Sequence, residues 1–312
     1  MAELGEFGVI ARATAQRTQP SSTLLGPGDD AAVVAAPDGR VVVSTDVLVE
    51  GVHFRLDWSN AQQVGRKAAA QNAADIVAMG ATPTAFLVGL ACPPITTVAV
   101  IDGLTSGLWE EAQRVGAGVV GGDVVRATQL VVSVTALGDL QGREPVLRSG
   151  AQPGDVVAVA GKLGWSAAGL AVLTRGFRSP AAVVAAHRVP EPPYELGLAA
   201  AKAGASSMTD VSDGLLADLG HVLTASGVSA DLRRGALTPA PKLIEVGSAL
   251  GVDPWTWVLT GGEDHAFVAT FPAARVRPDG WLAIGVVGEG SGCTIDGAPY
   301  DAGEPIGWTA FG

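Results

Sequence analysis

The sequence predicts a mixed α/β (α+β) chain of two domains, on three observations. Short β-rich runs interleave with helix-length runs rich in alanine and leucine; a turn-rich break divides the chain near its middle; and 312 residues exceed one typical domain of about 100 to 200. Residues 41–44, 85–92, 130–137 and 156–160 read as strands, and residues 62–79 and 98–115 as helices. The stretch 140–155, LQGREPVLRSGAQPGD, crowds turn formers between two strand signals and sets a boundary between domains 1–140 and 141–312. The second domain opens on its own strand. Prolines in VPEPP, 189–193, stop a helix, and Ser212, Asp213 and Gly214 introduce another over 215–225.

Composition narrows the function. Hydrophobic residues make up 48% and charged residues 16%, which fits a folded protein and not a disordered one. A net charge of −11 repels a phosphate backbone and no basic patch offsets it, so nucleic acid is not an expected partner. Cys92 and Cys293 stand far apart without a C-x-x-C partner and read as small core hydrophobes, not as a disulfide framework or a zinc site. Glu3 and Glu6 occupy the region where a signal peptide carries positive charge, and no apolar run approaches the ~18 residues of a membrane span. The expectation is a cytoplasmic protein that does not enter the membrane.

Forty-two glycines are in excess, and several precede aspartate in what read as loops after strands: Gly28-Asp29-Asp30, Gly121-Gly122-Asp123 and Gly261-Gly262-Glu263-Asp264. Each alone is usually an ordinary turn. Together with Asp46, Asp75, Asp210 and Asp213 they supply carboxylates in stretches with little other charge. Facing carboxylates repel unless cations neutralise them, and all-oxygen donors select hard ions such as Mg2+. Magnesium among aspartates points to polyphosphate chemistry. Asp210 and Asp213, just before a helix, also fit capping roles. No Walker motif, kinase H-R-D and D-F-G pair, strand-to-helix G-x-G-x-x-G or G-x-S-x-G elbow is present, and four histidines show no metal or triad spacing.

The motifs in order resemble the thiamine-monophosphate kinase family. They are Gly28-Asp29-Asp30-Ala31-Ala32, Ser44-Thr45-Asp46 leading to His53, and Asn72-Ala73-Ala74-Asp75. Gly121-Gly122-Asp123, Arg148-Ser149-Gly150, Ser166 to Leu170, Asp210-Val211-Ser212-Asp213-Gly214 and Gly261-Gly262-Glu263-Asp264 continue the match through almost the whole chain. The resemblance implies an aminoimidazole-ribonucleotide synthetase-like fold. Its N-terminal strands join a second subunit's in a dimeric barrel, and its C-terminal α/β domain completes the active-site cleft. It implies a homodimer that phosphorylates thiamine monophosphate with ATP, assisted by several Mg2+ ions. Carried over by position, Asp30, Ser44, Thr45, Asp46, Asp75, Asp123, Asp210 and Asp213 are implied metal ligands, with Asp46, Asp75 and Asp123 central to catalysis. Gly122, Asp123, Arg148 and Ser212 are implied nucleotide contacts, and His53, Glu263 and Trp308 implied thiamine contacts. An aromatic face suits a cationic thiazolium and a carboxylate suits an aminopyrimidine; without the motif, Trp308 reads as a core tryptophan and His53 as a histidine bonded to backbone.

The chain departs from the family pattern at Ala74, where serine is common, at Val124 and Val125, where threonines are usual, and at His265, where tyrosine is usual. The alternatives are another ATP-using synthetase or maturation ATPase of the same superfamily, or a nucleotide sensor that has lost its chemistry. A selenophosphate synthetase would place a reactive cysteine near its N-terminus, whereas the first cysteine here is Cys92.

Overall fold

The computed structural model describes residues 12–14, 17–27 and 31–300. The chain separates into two compact units, Met1–Ile76 with Ala81–Arg143, and Val77–Gly80 with Glu144–Gly312.

The first unit holds a short pair, β1 (Thr23–Leu25) with β2 (Val33–Val34), and a four-stranded sheet. That sheet consists of β3 (Val42–Val49), β4 (Thr82–Cys92), β5 (Gly118–Arg126) and β6 (Val131–Asp139), in the order β3-β6-β4-β5. It is open, with β3 and β5 on its edges. Pairing is antiparallel except between β4 and β5. Helix α1 (Ala61–Ala78) starts on a reciprocal cap, in which the Asn60 and Gln63 main-chain N–H groups donate to each other's side-chain oxygens at 3.0 and 2.8 Å. Its alanines 68, 69, 70, 73 and 74 are buried with Ile76, which explains a helix that is not amphipathic. Helix α2 (Val98–Val115) packs on β4 and β5 and ends at Gly116 in the left-handed conformation.

Two expectations are corrected. The first strand does not stop at residue 44 but runs through Asp46 to Val49. Side chains alternate along it, with Ser44, Asp46 and Leu48 turned inward and Val43, Thr45 and Val47 exposed. Gly121-Gly122-Asp123 is not a loop after a strand but the middle of β5. Gly122 is required there because a Cβ would lie 2.0 Å from the Val88 carbonyl oxygen of β4.

The second unit is built on a seven-stranded sheet in the order β13-β12-β9-β11-β7-β10-β8. Its strands are β7 (Val156–Ala160), β8 (Ser207–Val211), β9 (Ser229–Leu232), β10 (Ala266–Phe271), β11 (Leu282–Gly288), β12 (Gly292–Ile295) and β13 (Ala298–Pro299). Only β12 and β9 run parallel. The helices are α3 (Trp165–Thr174), α4 (Ala181–Arg188), α5 (Tyr194–Ala203), α6 (Leu215–Ser226), α7 (Pro241–Leu250) and α8 (Pro254–Thr260). Strands β7, β8 and β10 are buried almost throughout, and β8 carries Ser207, Thr209 and Asp210 into that interior. Cys92 is buried and Cys293 half-buried, and both are free thiols. Among the described residues no helix is long and apolar enough to cross a membrane.

Candidate functional site

In the first unit the inward face of β3 meets one face of α1. The Ser44 hydroxyl donates to Asp75 Oδ2 at 2.6 Å, and the Asp46 main-chain N–H donates to Asn72 Oδ1 at 3.0 Å. Asn72 is held in turn, its Nδ2 donating to the Ala68 carbonyl at 2.9 Å. Asn72 and Asp75, three apart on a helix, share a side. Ser44, Asp46 and Asp75 thus offer hydroxyl and carboxylate oxygens, a donor set that fits Mg2+. The Thr45 hydroxyl is elsewhere: it donates to the Val134 carbonyl and accepts from Thr135 Oγ1, both at 3.0 Å, on the exposed face. His53 Nδ1 accepts the Val49 N–H at 3.1 Å, so its proton sits on Nε2, and its carbonyl accepts from Lys67 Nζ.

Asp123 is not brought to this group. Asp46 lies in the cross-strand row Asp46, Val134, Val88, Gly122, and Asp123 in the next row with Val47, Ser133 and Gly89. The two aspartates therefore occupy opposite edges of the sheet, about 14 Å apart at three strand spacings, and alternate faces. Asp123 is exposed, and its Oδ1 accepts the Val124 N–H at 2.8 Å.

In the second unit, Asp210 is the next-to-last residue of β8, opposite Phe267, and Ser212 to Gly214 lead into α6. Neither Asp210 nor Asp213 caps that helix. The carboxylate that does is Asp218, whose Oδ2 accepts the N–H groups of Asp213 at 2.9 Å and Gly214 at 3.0 Å. Asp213, Asp218 and His221 place ligand atoms within 4.8 Å of one another, the one such trio among the described residues. The Gly261 to Asp264 loop closes on the same segment. Gly262 passes so near that a Cβ would lie 2.4 Å from the Ser212 carbonyl oxygen, and the Glu263 N–H donates to that oxygen at 2.7 Å. Glu263 Oε2 stands 3.4 Å from His187 Nδ1, which also meets Ser166 Oγ at 3.1 Å. Asp264 accepts the N–H groups of Gly164 and Ser166 and so caps α3. The Arg148–Gly150 turn is tied to α6 by Ser226 Oγ, which donates to the Arg148 carbonyl at 2.8 Å and accepts from Ala151 N–H. Arg148 itself is exposed. Asp30 and Trp308 lie outside the described residues.

Sequence reasoning named Asn72 and Asp264 only as parts of motifs and missed His187 and Asp218. Asp218 carried a readable signal, a carboxylate in the first turn of a helix after Asp-Gly.

Burial, then repulsion from Asp210, pushes the Asp218 carboxyl up to about 7, although two N–H groups oppose this. Asp213 moves in the same direction, again chiefly by burial. Burial likewise raises Asp264 to about 7, against its two N–H donors. Between the ordinary carboxylate range and pH 7 the folded chain therefore holds protons that the unfolded chain has released. Stability falls as pH rises through that window, by about 1.4 kcal/mol per pH unit per fully titrating group. Asp218→Asn is expected to melt above the parent at pH 8 in EDTA and to flatten the loss between pH 5 and 8 in part, because Asp264 remains. Thermal denaturation across that range checks it; an unchanged slope contradicts it.

Residues 28–140 match the family described as AIR synthase related protein, N-terminal domain, and residues 152–273 its C-terminal domain. The thiamine-monophosphate kinase of Mycobacterium tuberculosis (strain H37Rv) is 56% identical, over 99% of this chain and 92% of that protein. The crystal structure of thiamine monophosphate kinase from Aquifex aeolicus superposes with a TM-score of 0.80 at 30% identity, covering 96% of this chain and 99% of that one. A structure described as AaThiL complexed with AMPPCP and TMP gives 0.82 at 32% identity, covering 100% and 98%. The chain belongs to the thiamine-monophosphate kinase family. The family's two-domain α+β fold, AIR synthase-like, is the fold described above. Main-chain Val124 reaches the Asp123 carboxylate, and His265 reaches Asp210.

Proposed function

We propose that this chain transfers the γ-phosphoryl group of ATP to thiamine monophosphate, forming thiamine diphosphate and ADP. The observation that carries this reading is likeness along nearly the full chain to thiamine-monophosphate kinases, one of them bound to AMPPCP and TMP. The acceptor phosphate oxygen is anionic at neutral pH, so attack on the γ-phosphorus needs no general base, and the work left to the protein is positioning and charge neutralisation. Bound Mg2+ would supply that neutralisation. Asp46 and Asp75, with Ser44, are the ligands proposed on the first unit, the Thr45 hydroxyl being turned to the other face; Asp30, Asp210 and Asp213 are further ligands. Gly122, Asp123, Arg148 and Ser212 take the nucleotide, and His53, through Nε2–H, with Glu263 and Trp308, takes the thiamine part.

The proposal includes a homodimer. One protomer holds Asp46 and Asp123 too far apart for one octahedral ion with bonds of about 2.1 Å. The open edges β3 and β5 and the exposed apolar residues Val43, Val47, Leu87 and Val125 suit a barrel closed by a second copy. With the two-fold axis along that barrel, each β3 edge lies beside the partner's β5 edge. Asp46 and Asp123 of the partner subunit then stand on adjoining strand edges, Asp46 toward the metal and Asp123, from the other face, toward the nucleotide.

The reaction is tested by ADP release with ATP and Mg2+. Thiamine monophosphate is expected to stimulate it and free thiamine is not; silence with thiamine monophosphate favours another member of the superfamily.

A further inference from the structure

His265 closes the Gly261 to Asp264 loop immediately before β10 and is 6% exposed. Its Nδ1 lies 2.9 Å from Oδ2 of Asp210, which is 4% exposed, and its main-chain N–H donates to the Val211 carbonyl at 2.9 Å. A carboxylate at that distance accepts, so the imidazole proton resides on Nδ1. His265 and Glu263 both take positive φ, +50° and +63°. Non-glycine residues adopt that strained region only where their surroundings impose it, and two within three positions mark a loop held in one shape.

Asp210 repels both Asp213 and Asp218. A carboxylate so placed turns away from its neighbours unless something holds it. We propose that His265 is a positioning residue that grips Asp210 by Oδ2 and thereby presents Oδ1 to a divalent cation in one orientation. This rests on the reading of Asp210 as a ligand and adds to it the group that aims it. Hydrogen-bond partners of metal ligands typically control metal affinity by 10- to 100-fold.

The test is Mn2+ binding to the nucleotide-free full chain, read by electron paramagnetic resonance. Asp210→Asn is expected to remove one class of Mn2+ site. His265→Phe is expected to weaken that class at least tenfold, and His265→Asn, whose amide N–H replaces the donor, to stay within about threefold of the parent. Parent-like Mn2+ binding by His265→Phe, with the site lost in Asp210→Asn, overturns the positioning role and leaves the ligand role standing. Unchanged binding in Asp210→Asn overturns the ligand reading and the inference with it. Nitrogen-15 NMR of the parent gives a reading independent of any variant: a proton on Nδ1 is expected, and an unprotonated Nδ1 refutes the proposal.

Discussion

Asp46→Asn is expected to lower kcat about a thousandfold while leaving the fold and melting temperature close to the parent's. The separation of the two effects follows from the geometry. What ties this position to the rest of the unit is main chain: the ladder with Val134 and the N–H bond to Asn72 Oδ1. Both survive the substitution. What asparagine removes is the negative charge on the inward face of β3, beside Ser44 and Asp75, where the proposed metal must be held against a polyphosphate. Steady-state kinetics with saturating Mg2+, ATP and thiamine monophosphate, alongside circular dichroism, checks it. Near-parent turnover would take Asp46 out of the metal site.

Mixing two inactive variants gives the second large effect. In the proposed homodimer, Asp46→Asn and Asp123→Asn each leave a damaged aspartate in every site. If the barrel joins each β3 edge to the partner's β5 edge, a mixed dimer concentrates both lesions in one site and leaves the other intact. Random reassortment makes half the dimers mixed, each with one working site of two, so activity should recover to about a quarter of the parent's. If both aspartates serve the same protomer's site, every site in the mixture stays damaged and activity remains near that of the single variants. The measurement is activity after joint refolding or co-expression, with dimerisation confirmed by sedimentation.

Much of the fold was legible because strong local patterns agreed with tertiary need. The two long helices of the first unit and the strand at 156–160 follow from alanine content and β-branched runs, with bounds that differ from the structure by no more than one residue. Strand β5 was not legible, since Gly118, Gly121 and Gly122 depress strand propensity; the strand exists because a bare backbone can approach β4 closely. The motifs named Asp46, Asp75 and Ser44, and the structure sets Ser44 and Asp75 in contact. They could not say that Asp123 belongs to the far edge of the sheet, because sheet order is fixed by long-range pairing that no local window contains. Asp210 and Asp213 read as caps for the same reason that capping rules work at all. Yet burial selected Asp218 for that task and left Asp210 to His265. His187 was invisible, since only the packing of α4 brings it near Glu263.

The most direct test follows the phosphoryl group itself. ATP labelled in the γ-phosphate is incubated with thiamine monophosphate, Mg2+ and the full chain, and the products are separated. Label in thiamine diphosphate, equal in amount to the ADP formed and abolished by EDTA, is the predicted result. Label appearing as inorganic phosphate, with thiamine monophosphate unchanged, would contradict the account.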